Sequence, residues 1–258
     1  MNPLDIRFDL ALTLAMEAGD LAMRMRPELG DTTATLKGAQ DWLTEADGAV
    51  ERFLSENLED SFPEDGFQGE EGGPTRAGEL RWVADPIDGT ANYARGGARF
   101  CISLALLRDC TPLLGILVAP ALDEVFAARV GHGATLNNQP IRVAATQTLD
   151  RAIVELGWNP RRSDTDFVTA LTRLRQSGAA PRIGGSGAMG MADVAAGRLD
   201  AYGELAINLW DCAAAIVICA EAGAYVSPFM DGAGPIRGGP ILTCGPTLAD
   251  SLRWLETA

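Results

Sequence analysis

The segment Asp85-Pro86-Ile87-Asp88-Gly89-Thr90 sets two carboxylates three residues apart on one tight turn. Pro86 fixes that turn, and Gly89 and Thr90 offer backbone amides beside the acids. Two acids aimed at a common centre suit a hard cation such as Mg²⁺, and free amides next to them suit an anion. A phosphate held between metal and backbone would use both. Glu70-Glu71, flanked by Gly69 and Gly72, and Asp211, just before the apolar run 213–222, offer further carboxylates. Each acid also has a plainer reading. Asp88 and Asp211 are favoured residue types for capping a helix, and Glu70-Glu71 fits a solvated loop.

Gly185-Ser186-Gly187-Ala188-Met189-Gly190 matches a dinucleotide-binding GxGxxG pattern, with Glu204 near the distance of a ribose-binding acid. Only Ile183 precedes it where a hydrophobic strand is required, so the better reading is a Gly-rich helix start that lets a ligand approach the backbone. The single histidine, His132 in Gly131-His132-Gly133, excludes histidine-rich metal sites and a HExxH protease. A Ser-His-Asp triad would have to use it, and no GxSxG elbow occurs. It reads as a loop residue. Five cysteines, Cys101, Cys110, Cys212, Cys219 and Cys244, form no CxxC pair and fit reduced thiols of a cytoplasmic protein.

The elements that must carry these residues can be placed coarsely. Residues 4–26 read as an amphipathic helix, and Thr44-Glu45-Ala46-Asp47 as the capping box of a second, with Val50, Phe53, Leu54 and Leu58 on one face. Residues 62–78 read as an acidic, Gly-rich loop. Strands are expected at 81–85, 100–107, 113–118, 124–128 and 141–143, then at 153–157, 225–227 and 241–244. Helices are expected at 166–176, after the turn 184–190, at 211–222, and over 247–255. The order predicts an α+β lobe over 1–147 and an alternating α/β lobe over 148–258.

A chain of 258 residues, 47% hydrophobic and 22% charged, buries a sizeable core without disulfides. Lys and Arg number 21 against 35 Asp and Glu, a formal net charge of −14, so nucleic acid and anionic membrane surfaces are not expected partners. The opening residues do not read as a signal peptide, and the longest apolar stretch, 213–220, is too short to span a bilayer.

Taken together, Gly69-Glu70-Glu71, the run Trp82 to Tyr93 and Leu209-Trp210-Asp211-Cys212-Ala213-Ala214 through Gly223 resemble the inositol monophosphatase family. Leu43 to Asp47 and Gly133-Ala134-Thr135-Leu136-Asn137 extend the resemblance over nearly the whole chain. It implies a layered αβαβα sandwich, commonly a homodimer, that acts as a Mg²⁺-dependent, lithium-sensitive phosphomonoesterase on a small phosphorylated metabolite. Glu70, Asp85 and the carbonyl of Ile87 match the family's first metal site. Asp85, Asp88 and Asp211 match the second, and Glu70 also matches the contact to a third. Thr90 and Asp47 match the pair that orients the attacking water. The amides of Gly89 and Thr90 match the phosphate cradle, and Gly185, Ser186, Gly187 and Glu204 the substrate pocket.

The chain also departs from the family pattern. Trp158 stands where many inositol phosphatases carry a small hydroxyl residue, Asn208 where a histidine is frequent, and Lys37 is one residue closer to Asp41 than the family lysine. Inositol 1-phosphate or a similar polyol phosphate is therefore the first expectation. Histidinol phosphate comes next, then 3′-phosphoadenosine 5′-phosphate. A non-catalytic phosphate-binding regulator is the reading from a different class. The length argues against a fructose-1,6-bisphosphatase.

Overall fold

The computed structural model describes residues 2–27, 35–38 and 41–256, and side chains throughout these except for 35–38 and 41–43. Helix α1 (Pro3–Arg24) starts where Asn2 accepts the amide of Leu4 and Pro3 takes the first helical position. A short hairpin, β1 (Thr35–Gly38) and β2 (Asp41–Leu43), leads to α2 (Glu45–Ser61), which opens with the expected Thr44/Asp47 capping box. The side chain of Lys37 lies outside the described residues.

An eight-stranded sheet follows. Its strands are β3 (Gly66–Gly69), β4 (Gly73–Arg76), β5 (Leu80–Asp88), β6 (Cys101–Arg108), β7 (Thr111–Ala119), β8 (Glu124–Arg129), β9 (Ala134–Leu136) and β10 (Gln139–Pro140). The order is β10-β9-β8-β7-β6-β5-β3-β4, antiparallel except where β3 runs parallel beside β5. A one-turn helix, α3 (Thr90–Ala94), leaves the end of β5.

The second half alternates β11 (Ile153–Leu156), α4 (Asp164–Gln176), β12 (Ala180–Arg182), α5 (Gly187–Ala195), β13 (Ala201–Ile207) and α6 (Leu209–Glu221). It closes with β14 (Tyr225–Val226), α7 (Gly234–Arg237), β15 (Gly239–Cys244) and α8 (Ala249–Leu252). Its five strands lie in the order β12-β11-β13-β15-β14, with β11 parallel to both neighbours.

The period-two alternation of the strands divides the core into layers. Trp82, Ala84, Ile102, Leu104, Leu106, Leu114 and Ile116 face α1 and α2. Val83, Cys101, Ala105, Leu107 and Leu117 face the other way, onto α5 and α6. Those two helices bury their far sides against Tyr202, Ile207 and Ile241 of the second sheet. The outer face of that sheet packs on α4 and the C-terminal turns through Val154, Leu156, Leu205 and Leu242. The result is the expected αβαβα sandwich, with α5 and α6 in the middle layer.

Local assignments shift in several places. The stretch 62–78 holds β3 and β4 rather than a loop alone, because its glycines lie in paired backbone. Residues 141–143 are irregular, and the last helix is broken into short turns around α8. Strand β13, absent from the pattern reading, runs through the middle of its sheet.

Candidate active site

Three carboxylates meet where the C-terminal end of β5 faces the N-terminus of α6. Glu70, Asp85 and Asp211 each offer an oxygen, and all three oxygens lie within 4.8 Å of one another. Each reaches that point by a different route. Glu70 follows β3, and its amide bonds the carbonyl of Ala84 on β5 at 3.1 Å. Asp85 is 2% exposed, and its Oδ1 accepts the amide of Ile87 at 2.9 Å, which tightens the Asp-Pro-Ile turn.

Asp211 occupies the third helical position of α6, not the cap. Asn208 is the cap, and its amide donates to Asp211 Oδ2 at 2.9 Å in a capping box. Ser103, opposite Asp85 in the β5–β6 register, donates its hydroxyl to the carbonyl of Trp210 at 3.0 Å. Strand β6 therefore pins the residue that precedes Asp211.

Asp88 lines the same cavity, with its carboxylate bonded to the turn that opens α5. Its Oδ2 accepts from Ser186 Oγ at 2.5 Å and from the amide of Ala188 at 2.7 Å, while Oδ1 takes the amide of Gly187 at 3.2 Å. It thus sits at the N-terminus of α5, where the helix dipole favours an anion. Helix α3 follows Asp88, with Gly89 as its cap at φ +93°. A Cβ there would also lie 2.9 Å from the carbonyl of Arg99, so the position requires glycine. The first internal bonds of α3 come from the amides of Asn92 and Tyr93 to the Gly89 carbonyl, and the amides of Gly89, Thr90 and Ala91 precede them.

Thr90 joins this turn to α2. Its hydroxyl donates to the Ile87 carbonyl at 2.9 Å and lies 3.4 Å from Asp47 Oδ1. Asp47 is 1% exposed, and Thr44 satisfies its other oxygen through both amide and hydroxyl. One oxygen of Asp47 caps α2 and the other faces Thr90, so the cap leaves that second oxygen available.

On the far side Glu204, on β13, is buried and accepts the phenol of Tyr202 at 2.5 Å. A cavity of about 620 Å³ connects Glu204 and Ser186 to Glu70, Asp88 and Asp211. Trp158, Arg161 and Asn208 line it as well. Trp158 is 40% exposed, so its indole borders the cavity rather than filling a core. Arg161 spends its guanidinium on Asn159 and on the carbonyls of Ala206 and Arg237. His132 is an exposed loop residue, as expected.

The electrostatics of this cluster disfavour several bare carboxylates side by side. Burial, then Glu70, Asp88 and Asp211, push Asp85 well above the usual carboxylate range. Burial, then Asp88 and Glu204, push Asp211 up to about 7. Burial also raises Asp88, against the bonds from Ser186, Ala188 and Gly187. Crowded carboxylates offering only oxygen fit a hard divalent cation. Burial followed by neighbouring acids likewise raises Cys101 and Cys212.

Of the residues singled out in the sequence, the structure brings Glu70, Asp85 and Asp211 together, with Thr90 beside Asp47 and Ser186 beside Asp88. It places Glu204 across the cavity. Pattern reading passed over Ser103, Tyr202 and the role of Asn92, whose amide group donates to the carbonyls of Arg99 and Gly184 and ties α3 to the Gly-rich turn. Asn92 stood inside the quoted motif. Ser103 and Tyr202 carried no signal short of the strand register.

Comparison with known proteins follows the same lines. The model of the inositol monophosphatase family matches residues 6–252. The chain is 34% identical over 236 residues to a protein named Nus factor SuhB from Xylella fastidiosa, covering 88% of this chain and 86% of that one. It is also 34% identical over 224 residues to a fructose-1,6-bisphosphatase/inositol-1-monophosphatase from Thermotoga maritima, covering 86% of this chain and 85% of that one. Among solved structures, the extragenic suppressor protein SuhB of Bartonella henselae superposes with a TM-score of 0.87 at 27% identity, over 96% of each chain.

Proposed function

The chain belongs to the inositol monophosphatase family, and on that premise we propose that it hydrolyses a small phosphate monoester, inositol 1-phosphate or a similar polyol phosphate, with Mg²⁺ as its cofactor. The observation that carries this reading is the convergence of Glu70, Asp85 and Asp211 beside the leading amides of α3, with Glu70 and Asp211 lining one cavity with Glu204. Those three carboxylates would hold Mg²⁺, the Ile87 carbonyl serving with Glu70 and Asp85 at a first cation and Asp88 with Asp85 and Asp211 at a second. When bound, the cations neutralise the phosphate and lower the pKa of water at the site.

The chain's own groups do the rest. The amides of Gly89 and Thr90 bind phosphate oxygens at the start of α3. Thr90 Oγ and Asp47 Oδ1 orient a water toward phosphorus, and Asp47 takes up its proton. The water oxygen bonds to phosphorus as the ester P–O bond breaks, the leaving alkoxide takes a proton from solvent water to become the alcohol, and Asp47 returns its proton to solvent. Glu204 accepts a hydrogen bond from a hydroxyl of the leaving group, and Ser186 holds Asp88 in place.

Trp158 at the cavity edge makes leaving-group preference an open variable within this chemistry. The argument from length against a fructose-1,6-bisphosphatase fails, because a relative of similar length carries that name. A second reading, a binding role without turnover, draws on the relative named Nus factor SuhB. Phosphate release separates the two readings. Inositol 1-phosphate, histidinol phosphate, 3′-phosphoadenosine 5′-phosphate and fructose 1,6-bisphosphate are each run with Mg²⁺ and with EDTA. The proposal expects Mg²⁺-dependent turnover, fastest on inositol 1-phosphate, with Trp158→Ser changing the ratios of kcat/KM. No turnover on any of the four by folded protein that binds Mg²⁺ would favour the binding role.

A further inference from the structure

Glu51 takes no part in the chemistry above, yet it is buried one turn beyond Asp47 on α2. Its carboxylate reaches across to the turn between β3 and β4. There Oε2 accepts the amide of Glu71 at 2.8 Å and Oε1 the amide of Gly72 at 2.7 Å. The turn is shaped around this group. A Cβ on Gly69 would lie 2.2 Å from the Glu51 carboxylate, and one on Gly72 would lie 2.8 Å from Oε1. Two successive amides form a small concavity that binds an anion, and here a side chain of the same molecule fills it.

The residue type matters. The two amides go to two different oxygens, and a carboxamide in the same place would turn its NH₂ donor towards one of them. Glu51 therefore brings a third negative charge next to Glu70 and Glu71, a cost that a turn of purely structural purpose could avoid with neutral acceptors. What the arrangement gains is a fixed backbone for Glu70. Its own amide is tied to Ala84 on β5, and the next two amides are tied to α2. Helix α2 thus orients Asp47 with one turn and the Glu70 segment with the next.

We propose that Glu51 is a positioning residue for the cation site: by clamping the amides of residues 71 and 72, it holds the Glu70 carboxylate where Asp85 and Asp211 can share a cation with it. The inference rests on reading Glu70, Asp85 and Asp211 as the Mg²⁺ ligands. A group that orients a ligand in this way commonly changes metal affinity by about 10–100-fold when removed.

The test uses the full chain and Mg²⁺ alone, titrated by calorimetry without substrate, together with amide exchange over residues 69–73. Glu51→Gln should weaken Mg²⁺ binding by roughly tenfold or more and speed exchange at residues 71 and 72. Phosphate release should then need more Mg²⁺, with kcat largely restored at saturation. Because Glu51→Gln also removes a charge, Gly72→Ala serves as the charge-neutral companion. Its Cβ displaces Oε1, and it should weaken Mg²⁺ binding in the same direction. It also stands in if Glu51→Gln does not fold. Mg²⁺ affinity within twofold of wild type in folded Glu51→Gln or Gly72→Ala, while Glu70→Gln loses binding, would overturn this proposal and leave the cation site standing. Undiminished binding in Glu70→Gln would overturn both.

Discussion

At the scale of the residue, the acids of this site serve two purposes with two oxygens. Asp47 and Asp211 both occupy the third position of a capping box, and each gives one oxygen to the cap amide. That is why each acid, taken singly in the sequence, read as a helix start, and why only the combined motifs pointed to chemistry. Glu204 shows what burial does without such a cap. Burial is the main cause that lifts it to about 7, with Asp88 adding to the rise and the Tyr202 phenol opposing it. An acid whose folded pKa exceeds its unfolded value, about 4.3, stabilises the fold fully below that value. The contribution is lost as pH rises through about 7. Glu204→Gln should therefore gain stability relative to wild type between pH 4 and pH 8, by roughly 2–3 kcal/mol in metal-free protein. Urea unfolding at the two pH values measures this. A difference between variant and wild type that does not change with pH would mean that folding leaves the Glu204 pKa unshifted.

At the scale of the element, α6 must lie close enough to the large sheet for Asp211 to meet Asp85. Gly115 on β7 makes this approach possible, since a Cβ there would fall 2.2 Å from the Ala214 carbonyl. Gly115→Ala should push α6 away, cost about 1–3 kcal/mol and lower the affinity for Mg²⁺ along with Tm. Unchanged Mg²⁺ affinity would show that the helix position does not control the site. The helices α1 and α2 were legible because their helical spacing matches one buried face, and β6 and β7 because burial on both faces makes them continuous apolar runs. Strand β13 was not, because Gly203 and Glu204 interrupt its apolar run for reasons outside the strand. A Cβ at Gly203 would meet Leu255 at 2.7 Å, and Glu204 faces the cavity. The pair β3 and β4 hid in a Gly-rich segment for a similar reason. A Cβ on Gly66 would clash with the backbone of Arg76, and one on Gly69 with Glu51. Asp88 shows the converse case. Its motif was plain, but its partners Ser186, Gly187 and Ala188 lie about a hundred residues away, and no local pattern announces them.

At the scale of the whole molecule, the two sheets and the middle helices converge on one acidic cavity in a chain of formal net charge −14. A phosphate dianion gains nothing from that overall field, so under the proposed function its binding would depend on cations and on the amides at the start of α3. Among the described residues, no helix is long and apolar enough to cross a membrane. The central claim is that Glu70, Asp85 and Asp211 form the cation site of a phosphatase. The most direct test compares wild type with Asp211→Asn, whose amide oxygen can still accept the Asn208 cap. Mg²⁺ binding by calorimetry and phosphate release from inositol 1-phosphate are measured on both. Wild type should bind Mg²⁺ and turn over only with it. Asp211→Asn, folded by circular dichroism, should bind Mg²⁺ at least tenfold more weakly and lose roughly a hundredfold or more in kcat/KM. Near-normal binding and turnover in that variant would contradict the account.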